Sequence, residues 1–192
     1  GIGNYNTVME VVYLEKNLLI TNPDKVILHF FLNDVEFISK KNENILIEYS
    51  YLISFLYIRI KQSIFNISSM YNSIGEYYLD MYKKTSKGWN DAKKSIISMN
   101  NLCKLKDIEF MVLIQPDLHD LSLKSDQYKC HLIIRNFLDD NNIDYLDLFK
   151  AFALELKNEP ENIWVNHDDP HPNALGHGII YQRLYEYINI HW

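Results

Sequence analysis

The chain has 192 residues, 47% of them hydrophobic and 23% charged, with a formal net charge of −6. That length suits one domain with a full hydrophobic core, and the 6 Gly and 5 Pro exclude a collagen-like or disordered chain. Lys and Arg number 19 against 25 Asp and Glu and nowhere form a phosphate-binding stripe, so no nucleic-acid partner is expected.

The first element reads as a helix opened by a capping box, Thr7-Val8-Met9-Glu10, and stopped by Asn22-Pro23-Asp24. Val8, Val11, Val12, Leu18 and Leu19 recur along it at helical spacing. Val26 to Leu32 is then a nearly unbroken apolar run, the pattern of a strand buried on both faces of a parallel sheet, and it ends at Asn33-Asp34. Residues 36–87 read as an irregular, partly helical, Tyr-rich insertion whose aromatic side chains are expected in the core. Its most apolar run, Tyr49 to Ile60, meets charge at Arg59 and Lys61, short of the roughly 20 residues of a membrane span. Trp89, Ala92, Ile96, Met99 and Cys103 keep one helical face apolar, and Ile108 to Ile114 is a second buried strand closed by Gln115-Pro116. A helix from Asp126 to Leu138, a short strand from Tyr145 to Leu148 and a final helix capped by Asn173 complete the chain. Cys103 and Cys130 belong to no CxxC pair and read as buried free thiols. Strands and helices in alternation predict an α/β sandwich with a parallel sheet, a single domain over residues 1–192. In such folds ligands collect at the carboxyl ends of the strands.

Three segments at those ends carry polar chemistry. The densest is His167-Asp168-Asp169-Pro170-His171-Pro172-Asn173, with His177 one turn into the helix. Taken alone it permits a hydrolase dyad, in which an Asp orients a His as general base. It equally permits a metal site built from His167, Asp168, His171 and His177, or a plain polar turn capping a helix. Asn33, directly after a buried strand, can offer its amide to an oxyanion. Gly1 to Thr7 is a small-residue loop running into a helix N-terminus, where backbone N–H groups are poised to meet negative oxygen.

The three together, in this order, resemble the SGNH (GDSL) hydrolase family. Its blocks run from a GDS nucleophile loop through a glycine loop NxGxxGYxT and GxND to DxxHPN before the last helix. Gly1-Ile2-Gly3-Asn4-Tyr5-Asn6-Thr7 resembles the tail of the second block, Phe31-Leu32-Asn33-Asp34 the third, and Asp168 to His177 the last. The resemblance implies a flavodoxin-like three-layer α/β/α sandwich and a serine esterase acting on O-acyl esters, acetyl or lipid, of a small molecule or carbohydrate. It implies His171 as general base, Asp168 or Asp169 as its acid, and Asn33 with the Asn4 backbone N–H as oxyanion donors. No cofactor and no metal are called for. The DxxH spacing selects Asp168 and a DxH spacing selects Asp169. No Gly-Asp-Ser and no Gly-x-Ser-x-Gly elbow occurs in the chain. The nucleophile block and its strand are therefore expected upstream of Gly1, and the chain alone is expected to be inactive. Asn4 and Phe31 stand where the family has glycines.

Transfer of the acyl group to a sugar hydroxyl, a metal-dependent hydrolase, and a non-catalytic relative binding through the Tyr-rich stretch at 49–82 remain as alternatives. His29, inside a strand, is expected to be a satisfied core histidine. Asp117 and His119 follow a strand end and are candidates to line the cleft, whereas Asp147 is expected to hydrogen-bond backbone.

Overall fold

A computed structural model describes residues 5–36, 71, 73–155 and 160–192. The run at Tyr49 to Ile60 and the loop residues 1–4 lie outside the described residues. Helix α1 spans Thr7–Thr21 and ends on Asn22, whose φ of 40° is the left-handed conformation of a helix stop. Its cap differs from the expected box: Asn6 is the N-cap, accepting the Met9 N–H at 3.1 Å. Thr7 instead sits fully buried in the first turn and donates its hydroxyl to the Asp34 carbonyl at 3.2 Å. Strand β1 (Lys25–Phe31) follows and runs into a 3-10 turn, Leu32–Val35. Two helices, α2 (Ile74–Met81) and α3 (Lys87–Leu105), lead to strand β2 (Glu109–Gln115). Helix α4 (Asp126–Asp140), strand β3 (Asp144–Asp147) and a short helix α5 (Phe149–Glu155) come next. A hairpin of β4 (Trp164–Asn166) and β5 (Asp169–Pro172) precedes the last helix, α6 (Ala174–His191).

The three longer strands form a parallel sheet in the order β1-β2-β3, in register from Lys25 opposite Glu109 to Phe31 opposite Gln115. Because successive strand residues point to opposite faces, the sheet feeds two cores. Leu28, Phe30, Phe110, Val112 and Ile114 face one way and pack against α1 to α4, with Trp89, Ile96, Met99, Cys103, Cys130 and Ile134. Ile27, Leu113 and Leu146 face the other, toward α5 and α6, with Phe152, Ile163 and Ile180. The protein is thus a mixed α/β fold with helices on both sides of a parallel sheet.

Cys103 and Cys130 are free and buried, as their sequence context suggests. Burial pushes the Cys130 thiol up to about 12, which removes it from thiolate chemistry. Tyr78 and Tyr82 are core residues, 5% and 2% exposed, and their hydroxyls reach Asp117 and the Leu32 carbonyl.

One expectation fails at β1. His29 is exposed, not a core residue. It lies on the same face as Leu113, on a strand that stands at the edge of the described sheet. And β1, whose apolar run reads as an interior strand, has a strand neighbour on one side alone among the described residues.

Candidate active site

The carboxyl ends of β1 and β2 and the β4–β5 hairpin converge on one cleft. At the end of β1 the chain folds sharply: Asp34 Oδ2 accepts the Phe31 N–H at 2.7 Å and closes the 3-10 turn. Burial, opposed by that hydrogen bond and reinforced by the nearby Glu36 charge, raises the Asp34 carboxyl to about 6. Asn33, between these two groups, is left exposed and lines the cleft. The start of α1 is fastened to the same turn through Thr7 and through Asn6, whose amide donates to the Glu36 carbonyl at 3.1 Å. Asn6 and Thr7 are thereby tied to the turn that carries Asn33; Asn4 itself lies outside the described residues.

The hairpin places the histidine. Asx turns at its tip, with the Asp168 N–H on Asn166 Oδ1 at 3.0 Å, reverse the chain between β4 and β5. His171 Nδ1 contacts Asp169 Oδ1, and the same oxygen accepts the His171 backbone N–H at 3.1 Å. Those two bonds hold the Asp169 carboxyl below the usual carboxylate range. Asp168 goes elsewhere: its partner is His167, at 3.2 Å, and both side chains stand almost wholly in solvent. Of the two candidate acids, then, the geometry brings Asp169 to His171 and leaves Asp168 apart.

Asn173 anchors this arrangement with all of its polar capacity. Its Oδ1 caps α6 by accepting the Leu175 and Gly176 N–H groups, at 2.9 and 3.2 Å. Its Nδ2 donates to the Asn162 and Trp164 carbonyls, at 2.9 and 3.0 Å. Trp164 in turn donates its indole N–H to the Leu118 carbonyl at 3.2 Å, tying the hairpin to the loop after β2.

That loop forms the facing wall. The cleft, about 200 Å³, is lined by Asn33 from the β1 turn, Asp117 and His119 from the β2 loop, His171 from the hairpin, and Ile74 and Tyr78 from α2. Asn33 and His171, 138 positions apart in the chain by their numbers, therefore share one cleft. No serine, threonine or cysteine is among its described lining residues. Among the described residues, no group of three or more His, Cys, Asp or Glu side chains is gathered closely enough to hold a metal ion. His167 and His177 are exposed and line no part of this cleft. Sequence reading had no signal for the hairpin, because Pro170 and Pro172 obscure a strand, nor for the strut made by Trp164.

No family model matches the sequence, and no curated protein matches it. A solved structure does: an acetyl xylan esterase, AlAXEase, superposes with a TM-score of 0.55 at 18% identity, over 98% of this chain and 78% of that one. The two proteins accordingly share a fold.

Proposed function

We propose that this chain is the larger part of an SGNH/GDSL-type serine esterase that removes small O-acyl groups, acetyl above all, from a carbohydrate. The observation that carries this reading is the meeting of Asn33 and His171 in one cleft at the strand ends. A serine hydroxyl attacks the acyl carbonyl, His171 Nε2 takes its proton and returns it to the leaving alkoxide, and Asp169 orients the ring through Nδ1. The Asn33 amide and the Asn4 backbone N–H receive the oxyanion. The small cleft suits a short acyl group, and the acetyl xylan esterase fold supports a sugar ester as substrate.

The serine, in this reading, comes from outside the 192 residues, on a strand that pairs with the outer edge of β1. The sequence Val26-Ile27-Leu28-His29-Phe30-Phe31 is that of an interior strand, yet β1 has no described partner on that side. A groove of about 630 Å³ runs along the edge, lined by the consecutive residues Val26, Ile27, Leu28 and His29 together with Glu10 and Tyr13 of α1. Consecutive strand residues point to opposite faces, so they line one groove only along a strand's edge.

Activity-based labelling tests the proposal. The 192-residue chain should stay unlabelled by a serine-directed fluorophosphonate, and a protein carrying the upstream segment should be labelled once, on an upstream serine. Labelling of a serine within residues 1–192, or none in the longer protein, overturns it.

A further inference from the structure

The cleft holds a second carboxylate–imidazole pair that the esterase mechanism does not use. His119 Nδ1 meets Asp117 Oδ1 at 2.6 Å, and the same oxygen accepts the His119 backbone N–H at 2.9 Å. This repeats on the β2 loop the Asp-x-His geometry of Asp169 and His171. The second pair is the more firmly built of the two. The Asp117 side chain is 6% exposed, where the Asp169 side chain is 39% exposed. Its carboxylate is also held by the Tyr78 hydroxyl at 3.1 Å and by Gln127 Nε2 at 3.3 Å. Burial, the Asp117 charge and its hydrogen bond keep the Tyr78 phenol protonated, so it serves Asp117 as a donor. The His119 ring stands edge-on to Trp164, with centroids 5.6 Å apart, and its side chain remains 39% exposed. Nδ1 is thus occupied, the ring plane is fixed on two sides, and Nε2 is the nitrogen left to meet a ligand.

We infer that His119 is a specificity-determining residue, whose Nε2 hydrogen-bonds a hydroxyl on the alcohol portion of the ester bound beside His171. The inference rests on the esterase reading and deepens it. In that reading the carbonyl oxygen belongs to Asn33 and the proton in flight to His171, which leaves the β2 wall for the rest of the substrate. An acyl chain is apolar and gains nothing from an imidazole whose tautomer is set by a buried carboxylate. A polyhydroxylated alcohol does gain, because its hydroxyl finds a fixed partner.

Two esters separate the possibilities: an O-acetylated xyloside, which carries free hydroxyls, and an aryl acetate, which carries none. In the protein bearing the upstream segment, His119→Gln should lower kcat/KM for the acetylated xyloside about 10- to 100-fold, the scale of one lost hydrogen bond to a fixed partner. The loss should lie mainly in KM, and should exceed any loss on the aryl acetate at least about tenfold. Asp117→Asn, which frees the tautomer, should act in the same direction. Equal losses on both esters, or no loss on either, overturn the assignment. His171→Ala should abolish both reactions; if it does not, the esterase mechanism fails separately. A binding readout stands apart from turnover. On the 192-residue chain, methyl β-xyloside should shift the His119 Nε2 resonance in ¹⁵N NMR, and an unmoved resonance at saturating sugar overturns the proposal even if neither ester is hydrolysed. Thermal unfolding of both variants checks that the fold is retained.

Discussion

Asp168 and Asp169 are neighbours in sequence with different surroundings, and chemistry can tell them apart. Asp169 accepts two bonds from His171, whereas Asp168 sits in solvent beside His167. In the active protein Asp169→Asn should lower kcat roughly 10³- to 10⁴-fold by releasing the imidazole tautomer. Asp168→Asn should stay within about twofold, as expected of a solvent-exposed charge. Comparable losses in single-turnover assays of the two variants would show that Asp169 does not orient the base. Asn33 is the parallel case for the oxyanion: Asn33→Ala should cost about 2.7–4 kcal/mol of barrier, a 100- to 1000-fold drop in kcat, with KM little changed. An unchanged kcat removes its amide from the mechanism.

At the scale of elements, the site depends on how closely α6 approaches the hairpin. A Cβ added at Gly176 would lie 2.8 Å from Pro172 Cβ and 3.4 Å from the Ile163 carbonyl oxygen. The residue under pressure is Pro172, adjacent to His171. Gly176→Ala should therefore cost about 1–3 kcal/mol of stability by overpacking. It should also lower activity beyond that loss, since β5 must shift. Urea denaturation and kcat, measured on the same variant, report the two effects separately. Gly178, two residues on, has open space around its position, so Gly178→Ala is the control that should do neither harm. The same local view explains the cap at Asn6. Asparagine is a better N-cap than threonine in this setting because its amide also reaches the Glu36 carbonyl, while Thr7 is free to be buried against Asp34.

Over the whole molecule, buried carboxyls pull stability in opposite directions with pH. Burial raises Asp147, but the His131 hydrogen bond and charge, the Phe149 N–H and Arg135 outweigh it and hold the carboxyl below its usual range. Its contribution is present above the unfolded value of about 3.9 and is lost as pH falls below it. Glu10 is opposite in sign: burial, then the Asp34 charge, raises it to about 7, and its Oε2 has no hydrogen-bond partner among the described residues. Stability from its neutral form is complete below the unfolded value of about 4.3 and is lost as pH rises through 7. Asp34, at about 6, adds to the same trend. Thermal stability should thus peak at about pH 4, where the Asp147 contribution is in place and the Glu10 and Asp34 losses have not yet accrued. Glu10→Gln should flatten its alkaline side, gaining on the order of 2 kcal/mol at pH 8 and little at pH 4.5, a figure reduced for partial exposure. Equal melting temperatures for Glu10→Gln and wild type at pH 8 would contradict this.

What was legible in the residue string was periodic or local. Apolar runs marked β1 and β2, helical spacing marked α1, α3, α4 and α6, and Asn173 marked the start of α6, because these signals arise between residues close in sequence. The mutual approach of Asn33 and His171 was reached only through a family resemblance, since the string carries no distance. The fold alone paired Asp169 rather than Asp168 with His171, exposed His29 at the sheet margin, and brought Asp117 and His119 into the same cleft as His171. Each of those outcomes depends on which segments meet in space, through Trp164, Tyr78 and the hairpin, and such contacts leave no period in a sequence.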